Sequence, residues 1–301
     1  MIELNYLPVF FKIKFIDALS NAMRVNTSFV LRSVLGYNLR SMCCIAHGKI
    51  CPDCIYNKTC AYAYIFETII PQNNTIHAGT DRATHPFSFC KCSDSSFTIN
   101  LFGKACDYLP YIYAAFYKAG QKGLFKERIP FAIEDIKIGE KSILIDEENI
   151  DTSVSPIKWD FSFDTDKNQK VEKEILVELK SPLRFKTRGK YSTDFTAQDF
   201  MQCLFRRAKT LCSLYGTFED VPFYDNNNIE FEIADRNIRW KDYEHYSARQ
   251  KNAMQLGGVM GNFKLKGRFS DFDLALLDFS RIVNAGKNPN FGLGQIDFWE
   301  R

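Results

Sequence analysis

An α+β protein built as two sandwich-like halves is what this 301-residue sequence predicts, and three observations carry that expectation. A strand–helix–strand run occurs in each half, a polar and acidic stretch separates the two, and a hydrophobic content of 46% is enough at this length to bury two cores.

The first half opens with residues 7–16, whose apolar side chains are dense enough for a buried strand. A helix is expected over residues 27–42, where Asn26 or Thr27 offers a cap and Val30, Leu31, Val34, Leu35, Asn38, Leu39 and Met42 recur at helical spacing. Arg32 and Arg40 fall on its other face. Residues 96–102 then read as a strand, residues 108–119 as a helix, and residues 131–145, broken by Gly139, as a hairpin. Between residues 146 and 170 the chain turns acidic and polar, with one apolar island at residues 159–163, so the domains are placed at residues 1–150 and 171–301 with a linker at 151–170. In the second half residues 174–179 alternate as a strand, residues 197–215 are helical, residues 256–265 form a strand entered by glycines, residues 271–282 form a second helix, and residues 292–299 form the last strand.

Composition excludes several classes. No run approaches the roughly 18–20 apolar residues of a membrane-spanning helix, and the opening MIELNYLPVFFKIKF lacks the basic end and small-residue cleavage site of a signal peptide, so a cytoplasmic protein is expected. Ten cysteines are present and seven fall between Cys43 and Cys92, which in a reducing compartment favours metal or buried thiols over a disulfide framework. The net charge is only +3, so any nucleic-acid footprint has to be local.

Such a footprint is visible. From Lys180 to Lys190 there are five basic residues (Lys180, Arg184, Lys186, Arg188 and Lys190) and no acid, with Phe185 and Tyr191 as aromatic rings for base stacking. Arg206, Arg207 and Lys209 add charge to the following helix, and Arg249 and Lys251 precede the glycine-entered strand. Near the C-terminus, Asn284-Ala-Gly-Lys-Asn-Pro-Asn-Phe-Gly-Leu-Gly294 leads into an alternating strand. Gly286, Gly292 and Gly294 permit positive φ and a close approach of main-chain amides to a phosphate backbone, and Lys287 supplies charge; the alternative is an ordinary glycine-rich turn. Cys44, Cys51, Cys54 and Cys60 form a C-x6-C-x2-C-x5-C cluster whose spacing suits a structural zinc, with an iron–sulfur cluster or buried reduced thiols as alternatives. Cys203 and Cys212, on a helix with apolar neighbours, are expected in the core. Acidic pairs such as Glu134-Asp135 sit where ordinary surface charge would sit, and no phosphate-binding glycine motif follows a strand, which argues against a magnesium nuclease.

The glycine-rich C-terminal segment resembles the loop that marks the RAMP superfamily, two Gly-x-Gly pairs five residues apart, with Asn284 in the first glycine's place. The resemblance extends through residues 179–186, 200–209, 246–250 and 256–261, and in the first half through residues 31–39, 60–66, Pro86-Phe87 and 101–103. Taken in order, these segments are similar to the CRISPR precursor-RNA-processing endoribonuclease family. That resemblance implies two tandem ferredoxin-like (RRM-like) domains and cleavage of CRISPR repeat RNA by attack of a 2′-hydroxyl, with no cofactor for catalysis. A non-catalytic guide-RNA-binding RAMP subunit and a zinc-stapled protein-interaction scaffold are the alternatives. Such cleavage needs a proton acceptor, a proton donor and a cation for the charged phosphorane. The chain has four histidines (His47, His77, His85 and His245), and the family's habit of placing its histidine around or after the first helix selects His47, with Lys49 beside it and Tyr37 on the preceding helix. Repeat RNA and other CRISPR-associated proteins are the partners this resemblance implies.

Overall fold

The computed structural model describes residues 1–16, 27–46, 51–68, 70, 83–125, 127–162, 170–221, 224, 229–247 and 252–300, with backbone alone at 244–247 and 252–254. In chain order the strands and α-helices are β1 (Ile2–Phe15), α1 (Thr27–Cys43), α2 (Ala61–Phe66), β2 (Phe87–Cys90), β3 (Ser96–Phe102), α3 (Leu109–Lys122), β4 (Phe131–Ile138), β5 (Lys141–Ser142), β6 (Ile157–Phe161), β7 (Val171–Leu183), β8 (Lys186–Thr187), β9 (Lys190–Tyr191), α4 (Ala197–Tyr215), β10 (Thr217–Phe218), β11 (Glu230–Lys241), β12 (Glu244–Ser247), β13 (Asn252–Gln255), β14 (Gly258–Phe269), α5 (Asp271–Val283) and β15 (Ile296–Glu300). They divide into two compact units, residues 4–158 with 214–216, and residues 1–3, 159–213 and 217–301.

In the N-terminal unit the strands order as β2-β3-β1-β4-β5, with antiparallel pairing throughout. Leu7, Val9, Phe11 and Ile13 of β1 are buried, the period of two that puts alternate side chains on one sheet face. Leu31, Leu35 and Leu39 of α1 and Ile112, Ala115 and Phe116 of α3 cover that face. At the centre Phe11 stacks on Phe97 at 4.8 Å between ring centroids, and Phe116 tilts onto Phe97 at 4.9 Å. Fully burying each such ring contributes about 1.5–3 kcal/mol, so this aromatic cluster is a large part of what holds α3 to the sheet.

The C-terminal unit repeats the plan with order β11-β14-β7-β15. Ile175, Val177 and Leu179 of β7 and Phe263 and Leu265 of β14 meet Phe200 and Leu204 of α4 and Leu276 and Phe279 of α5 among its buried residues. Both helices are started by reciprocal caps. At α5 the Ser270 hydroxyl accepts from the Asp273 amide while the Asp273 carboxylate accepts from the Ser270 amide, and Thr196 and Asp199 exchange the same bonds at α4. Trp159 of β6 packs 4.4 Å from Phe279, and its indole donates to Asp278 at 3.1 Å.

Each unit is therefore a β-α-β-β-α-β fold with its first strand between the third and fourth, the ferredoxin-like arrangement, and the α+β class is as expected. The strand expected over residues 292–299 begins only at Ile296, because residues 289–291 form a 3₁₀ turn and Asn288, Gly292 and Gly294 take positive φ. β11 was not foreseen. It is an edge strand on which Phe231 alone is fully buried, and its charged residues hide the usual alternation. Among the described residues no helix is long and apolar enough to cross a membrane.

Candidate nucleic-acid interface

The basic segment of the C-terminal unit folds as a tight hairpin, β8 paired with β9 through Lys186↔Tyr191 and Thr187↔Lys190. Gly189, at φ 80°, and Arg188, at φ 50°, make the turn. Lys186, Arg188 and Lys190 are exposed, and none of the three forms an ion pair with a described residue. Arg184 is tied down instead. Its Nη1 donates to the Gly257 carbonyl at 2.7 Å and its guanidinium lies 3.9 Å over the Tyr191 ring, with Trp240 6.4 Å away. The result is a fixed aromatic–cation platform beside three cations that form no ion pair among the described residues, of which Lys186 lies 5.4 Å over the Tyr191 ring; charge and an aromatic ring side by side suit a single-stranded nucleic acid through backbone attraction and base stacking. Phe185 is not part of that platform. It is buried 5.2 Å from Phe195, so it packs the core rather than offering a face to a base. Lys180 is exposed but pairs with Glu178 at 2.7 Å and sits 5.3 Å over Trp299.

The glycine-rich loop overturns a second expectation. The Ala285 amide donates to the Gly294 carbonyl, the Gly294 amide to the Pro182 carbonyl at 3.0 Å, the Lys287 amide to the Arg184 carbonyl at 2.7 Å, and the Gly292 amide to the Pro289 carbonyl at 2.9 Å. These donors are spent inside the protein, so Gly292 and Gly294 do not present them to phosphate. The glycines' role is packing: a Cβ at Gly286 would stand 2.5 Å from the Arg184 carbonyl oxygen, and one at Gly294 only 1.8 Å from that of Ala285. Asn284 fills the first glycine's place at φ 59°, and its amide nitrogen donates to the Leu293 carbonyl at 3.1 Å. Lys287 alone of the loop's predicted contacts remains exposed.

Arg206 and Arg207, adjacent in sequence, part company on α4. Arg206 is exposed, whereas Arg207 is 5% exposed and donates from Nε and Nη2 to the Val283 carbonyl at 3.2 and 3.0 Å, capping the end of α5. Arg207 is a structural residue and not an RNA contact. Arg249, with Lys251, lies outside the described residues. Cys203 and Cys212 are buried as expected.

In the N-terminal unit Tyr37 projects from α1, 68% exposed, with the Lys122 ammonium 5.0 Å over its ring. That ammonium also donates to the buried Asn38 side chain at 3.2 Å. His47 and Lys49 lie outside the described residues, as does His77. Sequence reading did not foresee that Arg32 of α1 reaches His85, with 3.5 Å between Nη2 and Nε2, or that His85 stands edge-on to Phe66 and Phe87 at 5.7 Å. The two residues are 53 positions apart, and no local pattern links them.

Cys43, Cys44, Cys51, Cys54 and Cys60 line one cavity of about 20 Å³ at the end of α1. Burial pushes the Cys43 thiol up, with Cys60 and Cys44 adding to the shift, and burial followed by Glu67 pushes up that of Cys51. None of the five is in a disulfide. Among the described residues no three His, Cys, Asp or Glu side chains stand where one ion would join them.

Comparison with known proteins gives two family matches. A model described as an N-terminal domain matches residues 11–155, and the model of the CRISPR-associated endoribonuclease Cas6 matches residues 177–296. No curated protein sequence matches the chain. Among solved structures, a Cas6 product complex is similar with a TM-score of 0.54 at 11% identity, covering 98% of this chain and 99% of that one. Thermus thermophilus Cas6 gives 0.52 at 10% identity over 98% and 99%. A partial Cas6-RT-Cas1–Cas2 complex gives 0.53 at 12% identity, with all of this chain covering 46% of the other. At these identities the likeness establishes a shared fold.

Proposed function

We propose that this chain, whose residues 177–296 match the model of the CRISPR-associated endoribonuclease Cas6 family, is an enzyme that binds a CRISPR repeat and cuts precursor RNA once within it, without a catalytic metal. The observation that carries this reading is the hairpin of Lys186, Arg188 and Lys190 over the Arg184–Tyr191 stack, an RNA-binding chemistry inside the family-matched segment. The repeat backbone runs along those cations, with Lys287 and Arg206 adding charge, and at least one base meets the aromatic platform.

Cleavage proceeds by attack of a ribose 2′-oxygen on the adjacent phosphorus. His47 takes the 2′-hydroxyl proton or delivers one to the departing 5′-oxygen, Lys49 offsets the charge on the pentacoordinate phosphate, and Tyr37 orients the scissile nucleotide. The 5′-oxygen leaves with a proton, giving a 5′-hydroxyl on one product and a 2′,3′-cyclic phosphate on the other. Tyr37, two-thirds exposed beside the Lys122 ammonium, is available for such a contact. Because a similar structure is a partial Cas6-RT-Cas1–Cas2 complex, other CRISPR-associated proteins are further partners in this reading.

The test is denaturing-gel cleavage of repeat RNA with chelator added at the start of the reaction. Wild type cuts at one position, and His47→Ala binds the repeat but does not cut it. A strict requirement for added magnesium would overturn the mechanism. Full activity in His47→Ala would move the proton transfer to another histidine, of which His85, in contact with Arg32, is the first to substitute.

A further inference from the structure

We propose that Cys44, Cys51, Cys54 and Cys60 bind one zinc ion that staples the segment between α1 and α2.

Apart from the packing of Cys51 and Cys60 against the N-terminal core, the segment has little to hold it. No described residue from 45 to 59 is buried, and Ile45 and Ile55 are 66% and 83% exposed. Its internal order consists of a single 3₁₀ turn at Cys51–Asp53 and a few turn hydrogen bonds, including Cys54 to Cys51, Asn57 to Cys54 and Cys60 to Tyr56. Yet five thiols from this stretch and the end of α1 surround one small cavity. Cys60 occupies the N-cap position of α2, but its side chain makes no capping hydrogen bond and remains available as a ligand. At about 20 Å³ the cavity has room for a body the size of one water, the scale of a single ion.

The sulfurs do not yet meet at one point, so binding draws them inward to about 2.3 Å from the metal, the ordinary zinc–thiolate distance. Each ligand binds as the thiolate, its proton going to solvent, which leaves a site of net charge −2 around the dication. Cys43, the last residue of α1, is the spare.

Metal content, read without RNA, tests the site separately from the cleavage proposal. Full chain purified under reducing conditions should carry about one zinc by elemental mass spectrometry, released by a thiol-modifying reagent. Cys51→Ser and Cys54→Ser should each lose most of it, and Cys92→Ser should keep it. Prolonged chelation should lower the melting temperature of the wild-type chain by several degrees, restored by zinc alone. A wild-type chain that holds no zinc and binds none on titration overturns the proposal, as does iron in its place or a disulfide between two of the four cysteines.

Discussion

The amide of Ala285 donates to the carbonyl of Gly294 across 2.7 Å, tying the two ends of the glycine-rich loop directly together. No side chain fits in that gap, since a Cβ on Gly294 would lie 1.8 Å from the Ala285 oxygen. Gly294→Ala also forces a side chain into φ 72°. We expect it to lose at least about 2–3 kcal/mol of stability by urea denaturation, with RNA binding falling only in proportion to the unfolded fraction.

Lys287→Ala in the same loop separates charge from structure. Its side chain is exposed, so the urea midpoint should stay within experimental error of wild type while repeat affinity weakens several-fold. The slope of log affinity against log salt should fall by about 0.7, the value for one phosphate contact on a single strand.

The same contrast holds on α4. Arg207→Met leaves the Val283 carbonyl without its buried donor and should cost about 2–3 kcal/mol without altering the salt slope. Arg206→Ala should do the reverse, with stability unchanged and binding weaker. Equal salt slopes for the two variants would refute the assignment.

Replacing Lys186, Arg188 and Lys190 together by serine should reduce repeat affinity by one to two orders of magnitude and lower the salt slope by about 2, at about 0.7 per contact. Tyr191→Ala should weaken binding by about 1–3 kcal/mol with the slope unchanged, because it removes stacking rather than charge. Gel-shift titrations at several salt concentrations distinguish the two outcomes.

Alkaline pH should destabilise the fold. Burial raises the Cys203 thiol from its ordinary 9.0 to about 12, and that of Cys106 likewise to about 12. The folded chain therefore retains protons that the unfolded chain loses. Stability is full below pH 9 and declines as pH rises from 9 towards 12. Melting curves between pH 7 and 11.5 should show that decline, and Cys203→Ala should have a shallower one.

How far the sequence reached differs from element to element. Apolar spacing placed α4 at both ends and α1 within one residue, because a helix buried along one stripe writes its period into the chain. β11 escaped because an edge strand with one fully buried side chain writes almost no period. The strand expected at residue 292 began at Ile296 because the glycines there serve chain crossings set by Arg184, Pro182 and Ala285, which are distant or out of register in sequence.

By itself the sequence determined the α+β class, the placement of the main helices, the basic hairpin and the cysteine cluster, all of which depend on residue type and local spacing. Tertiary structure alone decided which cations face solvent: Arg206 points out and Arg207 caps α5 one residue later, since a step of about 100° around a helix reverses the environment. It also decided that the loop amides are spent on Pro182, Arg184 and Gly294, because a backbone donor close to an internal acceptor satisfies it before any ligand arrives. Charge and ligand inventories are properties of composition, whereas availability is a property of packing.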